Sequence, residues 1–143
     1  MNKRNLFVVV MILLSAIVLA GCSVSQTELS VENSTTANYK VKNAEVGAAN
    51  VAGSLVFEEN QSLSVECDLS GKSEVTLELF AEMDPTKEIS FSELDEMLKS
   101  AQPDLNVKLS GNNVSEYDMA PGSYYVRFTV TATATGTVKM NVK

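Results

Sequence analysis

Alternation of apolar and polar side chains with a period of two is the feature that most constrains the fold of this chain. It recurs in segments 39–42, 51–57, 63–69, 75–79, 105–109, 124–133 and 138–142. Such alternation places every second side chain on the same face of a β-strand. Sheets with one buried and one wet face are typical of antiparallel pairing. We therefore expect an all-β fold: an antiparallel β-sandwich of seven to eight strands, jelly-roll or Ig-like. The pattern is also compatible with a closed barrel.

Turn residues between these segments suggest which strands are joined directly. Residues 68–73 contain Ser-Gly-Lys and separate two alternating segments, which predicts a hairpin between them. Gly136 is expected near the turn that joins the last two strands.

One segment has helical rather than strand periodicity. Its apolar residues recur at helical spacing: Phe91, Leu94, Leu98 and Ala101. Ser90 and Glu93 have the spacing of a capping box, and Pro103 ends the pattern. We expect one short helix of about eleven residues in a connection between two strands.

The N-terminal residues have the layout of a secretory signal peptide. Lys3 and Arg4 precede an apolar run, residues 6–20, that is interrupted only by Ser15. The run is too short for a comfortable span of a hydrocarbon core that needs about 20 residues. It closes on the sequence Leu-Ala-Gly-Cys at residues 19–22.

These four residues resemble the lipobox of bacterial lipoproteins. In that family the cysteine thiol receives a diacylglyceryl group, and the chain is cut just before the cysteine. The resemblance implies cleavage between Gly21 and Cys22 and lipidation of Cys22. It also implies an anchor at the extracytoplasmic face of the cell membrane, with the outer membrane as a second location in a Gram-negative cell.

The domain organisation follows from this assignment and from composition. We expect a signal peptide over residues 1–21, a flexible tether over 22–36 and a β-sandwich domain over 37–143. The tether is expected because its residues are mostly Ser, Thr and other polar types. Leu29 and Val31 leave open that this segment begins the first strand.

Composition excludes several classes of function. The chain has 143 residues, with 11 Lys+Arg and 18 Asp+Glu. Residues 1–21 hold two of the basic residues and none of the acidic ones. The remaining chain therefore has 9 basic and 18 acidic residues, a net charge of −9. This balance argues against nucleic-acid binding and against lying flat on anionic lipid. The chain has no His, so neither a Ser-His-Asp triad nor a His-containing zinc site can be built within it.

The second cysteine is expected to be a core residue. With Cys22 assigned to the anchor, Cys67 has no partner for a disulfide within the chain. It shares the parity of Leu63, Val65 and Leu69, so it is predicted to face the core, where free cysteines are common.

Residues 117–128 carry a second resemblance. They are similar to the Tyr-x-Leu-x-Pro-Gly-x-Tyr-Tyr-Val pattern that enters a late strand of many extracellular bacterial β-sandwiches, including jelly-roll domains like the pre-peptidase C-terminal domain and Ig-like modules. Physically, Pro121 and Gly122 supply a tight turn, and Tyr124 begins the buried face. The resemblance implies the fold and no ligand site.

Few residues are candidates for binding. Tyr125, outward by parity, and Tyr117, expected in a loop, are the candidate rings for a sugar platform. The acidic segment 82–88 lacks the spacing of a calcium loop and is interpreted as a solubilising loop. The outward row from Arg127 to Thr133 is interpreted as a wet sheet face.

We expect a lipid-anchored, extracytoplasmic, non-catalytic binding or interaction module of the bacterial cell envelope. No cofactor, no metal and no nucleic acid is expected, and the partners are the membrane and an envelope protein or glycan. One alternative is a carbohydrate- or cell-wall-binding sandwich. Another is a structural or assembly protein that pairs through a sheet edge, with the Thr-rich segment 129–137 as the candidate edge.

Overall fold

The chain forms two packed antiparallel sheets and one helix in a computed structural model that describes residues 18–20, 23–82 and 89–143. In chain order the elements are β1 (Val18–Ala20), β2 (Ser23–Glu32), β3 (Thr36–Ala44), β4 (Ala49–Phe57), β5 (Ser62–Leu69), β6 (Glu74–Ala81), α1 (Phe91–Lys99), β7 (Leu105–Ser110), β8 (Asn112–Asp118), β9 (Gly122–Ala132) and β10 (Ala134–Val142). The predicted all-β sandwich is confirmed, and the sheets do not close into a barrel.

The strand order is that of a jelly roll. The larger sheet has the order β2-β3-β10-β5-β8, with the three-residue β1 added beside β2, and the smaller sheet has the order β4-β9-β6-β7. The pairs β3–β10, β4–β9, β5–β8 and β6–β7 are nested, as in one long antiparallel hairpin rolled into two layers. Of the two predicted sandwich types, the chain therefore forms the jelly roll.

Three sequence-based expectations about neighbouring strands are wrong. β5 and β6 do not form a hairpin, because they belong to opposite sheets, and the same holds for β9 and β10. Gly136 lies near the connection between β9 and β10, as predicted, but within β10, three residues after Thr133. The Thr-rich segment 129–137 is not an edge, since β9 and β10 are each central in their sheet. The reason is that apolar/polar alternation specifies which face of a strand is buried. It does not specify which other strand pairs with it.

The predicted tether over residues 22–36 is also wrong for most of its length. Ser23–Glu32 forms β2, which pairs with β3 from Gln26 to Glu32, and only residues 33–35 form a turn. Leu29 and Val31 are buried opposite Tyr39 and Ala37. The burial of these two side chains outweighs the polar composition of the segment. The segment therefore forms the first long strand, which is the alternative that the sequence left open. Gly21 and Cys22 lie outside the described residues.

The core lies between the sheets and is filled by the inward side chains of both. Its centre is a stack of Tyr39 on Phe128, with ring centroids 4.2 Å apart and an interplanar angle of 1°. Cys67 is buried, as predicted, and burial raises the pKa of its thiol. Burial likewise raises the pKa of the Tyr39 phenol, whose oxygen has no hydrogen-bond partner among the described protein atoms.

The turn that leads into β9 is held by Tyr124. Its hydroxyl donates a hydrogen bond of 2.7 Å to the carbonyl oxygen of Ala120, just before Pro121, and its ring meets Phe57 edge-on at 5.5 Å. This arrangement resembles the tyrosine corner of other sandwiches. Tyr124 therefore begins the buried face of the strand, as predicted.

Candidate binding surface

The outer face of the smaller sheet is covered by α1. The helix begins after Ser90, whose hydroxyl accepts from the Glu93 N–H while the Glu93 carboxylate accepts from the Ser90 N–H, so the predicted capping box is confirmed. Leu94 and Leu98 pack on the sheet in a second apolar cluster with Val51 and Phe80. Within the described residues, no helix combines the length and hydropathy needed to cross a membrane.

Arg127 connects this helix to the sheet. Its Nε donates to Asp95 Oδ1 on α1 at 3.2 Å, and its Nη1 lies 3.6 Å from Glu78 Oε1 on β6. The Arg127 side chain is only 13% exposed, so its face is not the wet surface that the sequence suggested. Because both carboxylates already partner this guanidinium, we assign the three residues to holding the helix rather than to binding a ligand.

Two signals in the sequence could have located this covered face. Phe80 follows Leu79 and breaks the alternation of β6, which indicates an apolar side chain on the outer face. The apolar stripe of the helix also requires a surface on which to pack. Together they predict an apolar contact between α1 and the outside of a sheet.

Tyr125 lies on this outer face, in agreement with its parity, but it is half-buried. Its ring packs beside the α1 cluster and over the backbone of Gly53, where a Cβ atom would lie 2.8 Å from the ring Cδ1. Next to it, the hydroxyl of Ser54 donates to the carboxylate of Glu82.

Tyr117 lies in β8, not in a loop. It pairs with Leu63 and packs against the main core from the edge of the larger sheet. The structure therefore does not bring Tyr117 and Tyr125 together: they belong to different sheets, one on the core side and the other on an outer face. Ligand binding by either ring stays a prediction.

The acidic segment before the helix can be followed only in part. Glu82 is described, and residues 83–88 lie outside the described residues. In the described part of the chain, no group of three or more carboxylate, cysteine or histidine side chains is placed to hold a metal ion.

The outer face of the larger sheet is open and polar, and it holds a shallow groove of about 580 Å³. Its lining comes from three adjacent strands: Glu28, Ser30 and Glu32 of β2, Asn38 and Lys40 of β3, and Thr137 and Lys139 of β10. The register aligns these side chains in rows across the sheet. Glu28, Lys40 and Thr137 form one row, and Ser30, Asn38 and Lys139 form the next.

Two carboxylates from β2 and two lysines from β3 and β10 line this groove, and they form no ion pair among the described residues. The lysines that pair with carboxylates among the described residues are Lys99, Lys108 and Lys143, so Lys40 and Lys139 keep their ammonium groups available. Hydroxyl, amide, ammonium and carboxylate groups together can donate and accept hydrogen bonds to a polar ligand. The alternation of the sequence predicted that these side chains point outward, but it did not show that three strands gather them into one groove.

A comparison of the sequence with models of known protein families gave no match, and a comparison with curated proteins gave no significant match.

Proposed function

We propose that this chain is a lipid-anchored, extracytoplasmic binding module of the bacterial cell envelope, without catalytic activity. The observation that carries the proposal is the lipobox-like sequence at residues 19–22, which stands directly before the first long strand of the sandwich. Cys22 is the proposed site of lipidation, and the bond between Gly21 and Cys22 is the proposed cleavage site. Two acyl chains give stable membrane attachment, whereas one chain gives only marginal attachment.

The lipidation can be tested by exchanging each cysteine in turn. The full chain is produced in bacteria fed with an alkyne analogue of palmitate, and the label is read on the protein after membrane fractionation. We expect Cys22→Ala to lose the label and to retain the uncut signal peptide, because no thiol is left at the lipobox position. Cys67→Ala is the matched control and is expected to be labelled like the natural sequence, since Cys67 is buried in the core.

Either of two results would contradict the anchor. Label that persists in Cys22→Ala shows acylation elsewhere in the chain. The natural sequence could also stay unlabelled and have the mass of a chain with an intact N-terminus. That result would show that the N-terminal segment is not processed as a lipoprotein.

A cell-wall glycan is the candidate ligand of this module. The groove on the larger sheet supports it, because its unpaired lysines and its hydroxyl and amide side chains match the hydroxyl, amide and carboxylate groups of such polymers. We propose Lys40 and Lys139 as the binding residues, with Tyr117 and Tyr125 as the alternative.

Retention on purified cell-wall polysaccharide tests the groove. The double variant Lys40→Ala/Lys139→Ala is expected to bind at least tenfold more weakly, because two charge-assisted hydrogen bonds are lost. The control Lys99→Ala/Lys143→Ala removes the same charge from exposed lysines outside the groove and is expected to leave binding unchanged. Equal losses in both variants would indicate a non-specific charge effect. A loss in Tyr125→Ala or Tyr117→Ala alone, with the fold retained, would return the site to the tyrosines.

A further inference from the structure

The two ends of the sandwich differ in charge and in shape, and the N-terminus of β2 lies at one of them. β2 pairs with β3 so that Gln26 is opposite Lys42 and Glu32 is opposite Thr36. The end beyond Gln26, which we call the anchor-side end, therefore includes the β3–β4 loop at residues 45–48. It also includes the β5–β6 loop at residues 70–73, because Leu69 pairs with Gly136 near the start of β10.

We propose that the anchor-side end of the sandwich rests directly on the lipid surface that holds the acyl chains of Cys22, with Lys42, Val46 and Lys72 in contact with it. This proposal rests on the proposed function, because it takes Cys22 as the acylated residue. It adds an orientation of the domain and a second, non-covalent contact with lipid.

The length of chain between the anchor and the sheet supports this contact. Ser23 follows Cys22 directly and is the first residue of β2. Residues 23–25 pair only with β1, which cleavage before Cys22 would remove. If these three residues then separate from the sheet, the four residue steps from Cys22 to Gln26 still reach no more than about 14 Å. The anchor-side end is thus held within that distance of the acylated residue.

The distribution of charge explains how an acidic domain can sit so close to a membrane. At the opposite end, where β2 meets β3 and β8 meets β9, carboxylates gather: Glu32, Glu58, Glu59, Glu82, Asp104, Glu116 and Asp118. Lys143 offsets Glu116 there through an ion pair of 3.4 Å. The anchor-side end is close to neutral, because it holds Lys42 and Lys72 as well as Glu45 and Asp68, and Lys108 pairs with Glu74.

Distance then screens the acidic end from the lipid. β2 has ten residues, which corresponds to about 33 Å of strand. The Debye length at physiological ionic strength is about 8 Å, so charges at the far end feel little of the surface potential. The sequence-based objection to a membrane contact holds for a domain lying flat and not for one standing on its anchor-side end.

The shape of the anchor-side end also suits a flat surface. Its connections are short: four residues each at 45–48 and 70–73, and one residue each at Gly111 and Thr133. Val46 is 66% exposed at the tip of the first loop. The loop is held in place by hydrogen bonds from the Gly47 N–H to the Val130 carbonyl at 2.8 Å and from the Val130 N–H to the Ala48 carbonyl at 2.9 Å. Lys42 and Lys72 lie at the same end, and an exposed apolar tip together with lysines is a combination that favours the membrane interface.

Single fluorescent labels on the acylated protein test the orientation. In a Cys67→Ala background, Val46→Cys carries the label at the anchor-side end. Val56→Cys is the matched control, because Val56 is 38% exposed near the C-terminal end of β4, at the opposite end of the sandwich. The protein is reconstituted in vesicles of phosphatidylethanolamine and phosphatidylglycerol with a quencher-labelled lipid. We expect at least threefold stronger quenching at position 46 than at position 56. Lys72→Cys repeats the measurement in case the label disturbs the first loop.

A spacer variant tests the role of the short connection. Ten Gly/Ser residues inserted after Ser23 keep the acylation site but extend the reach of the anchor, and quenching at position 46 is expected to fall towards that at position 56. Acylation is measured by mass in every sample. Acylated protein with equal quenching at positions 46 and 56 overturns the orientation and leaves the anchor intact. Protein without acyl chains overturns both the proposed function and this inference.

Discussion

Replacing Gly136 with alanine is expected to lower the free energy of unfolding by about 4 kcal/mol and the melting temperature by roughly 15 °C. Gly136 lies in β10 at φ +147°, a conformation that residues with a side chain rarely adopt. A Cβ atom there would lie 2.2 Å from the carbonyl oxygen of Asp68 and 2.8 Å from the Cα of Leu69. Both neighbours belong to the backbone of β5, so neither can rotate away, and the central pairing of the larger sheet must shift.

Gly111→Ala is the control for this variant. Gly111 also has a positive φ, +66°, but a Cβ atom there would meet nothing within 4 Å. Only the conformational cost of about 1 kcal/mol is expected. Urea and thermal unfolding give the loss of unfolding free energy for each variant. The difference between the two losses is the contribution of the close contact with β5, because both variants carry the cost of a positive φ. Equal losses in the two variants would show that the contact with β5 does not matter.

Replacing Phe128 with alanine is expected to cost about 4 kcal/mol. The ring is fully buried on β9 and stacks on Tyr39 of β3, so it joins the smaller sheet to the larger one at the centre of the core. Its removal leaves a cavity between two sheets that are each held by their own hydrogen bonds and cannot collapse far. Chemical denaturation with circular dichroism measures the loss, and a change below about 1 kcal/mol would contradict the central role of the stack.

Tyr39→Phe tests the same stack without a cavity. It keeps the ring and removes a buried hydroxyl that has no partner among the described protein atoms, so stability at neutral pH is expected to stay the same or to rise by about 1 kcal/mol.

The pKa of Tyr39 is raised by burial, so above about pH 10 the unfolded chain loses this proton while the folded chain keeps it. The free energy of unfolding is therefore unaffected by this group below about pH 10. Above about pH 10 it falls as pH rises, by up to about 1.4 kcal/mol per pH unit. The variant is expected to remove this part of the alkaline loss.

Local features of the fold could be predicted because they depend on neighbouring residues alone. The inward parity of Cys67, the capping box at Ser90 and Glu93 and the turn before Tyr124 each rest on a few consecutive side chains. The first strand was harder to predict because the many polar residues of 23–32 obscure the alternation of Thr27, Leu29 and Val31. Burial of these three side chains against the rest of the core decides the outcome.

The candidate groove depends on contacts far apart in the chain. Lys40 and Lys139 are brought to adjacent strands by the pairing of β3 with β10, and no local pattern encodes that pairing. In the same way, the position of Arg127 beneath α1 arises from the packing of a helix on a sheet, which the alternation of β9 does not reveal.

The sequence by itself determined the all-β class, the inward and outward faces of most strands, the short helix and the prediction of an acyl anchor at Cys22. These follow from the period of side chains along a strand and from short motifs, which are local properties. Only the tertiary structure decided the jelly-roll strand order, the start of the sandwich directly after Cys22 and the separation of an acidic end from a nearly neutral one. The physical reason is that the choice of neighbouring strands and the direction of each loop are set by packing between residues far apart in the chain. The alternation of apolar and polar side chains along a strand carries no information about that packing.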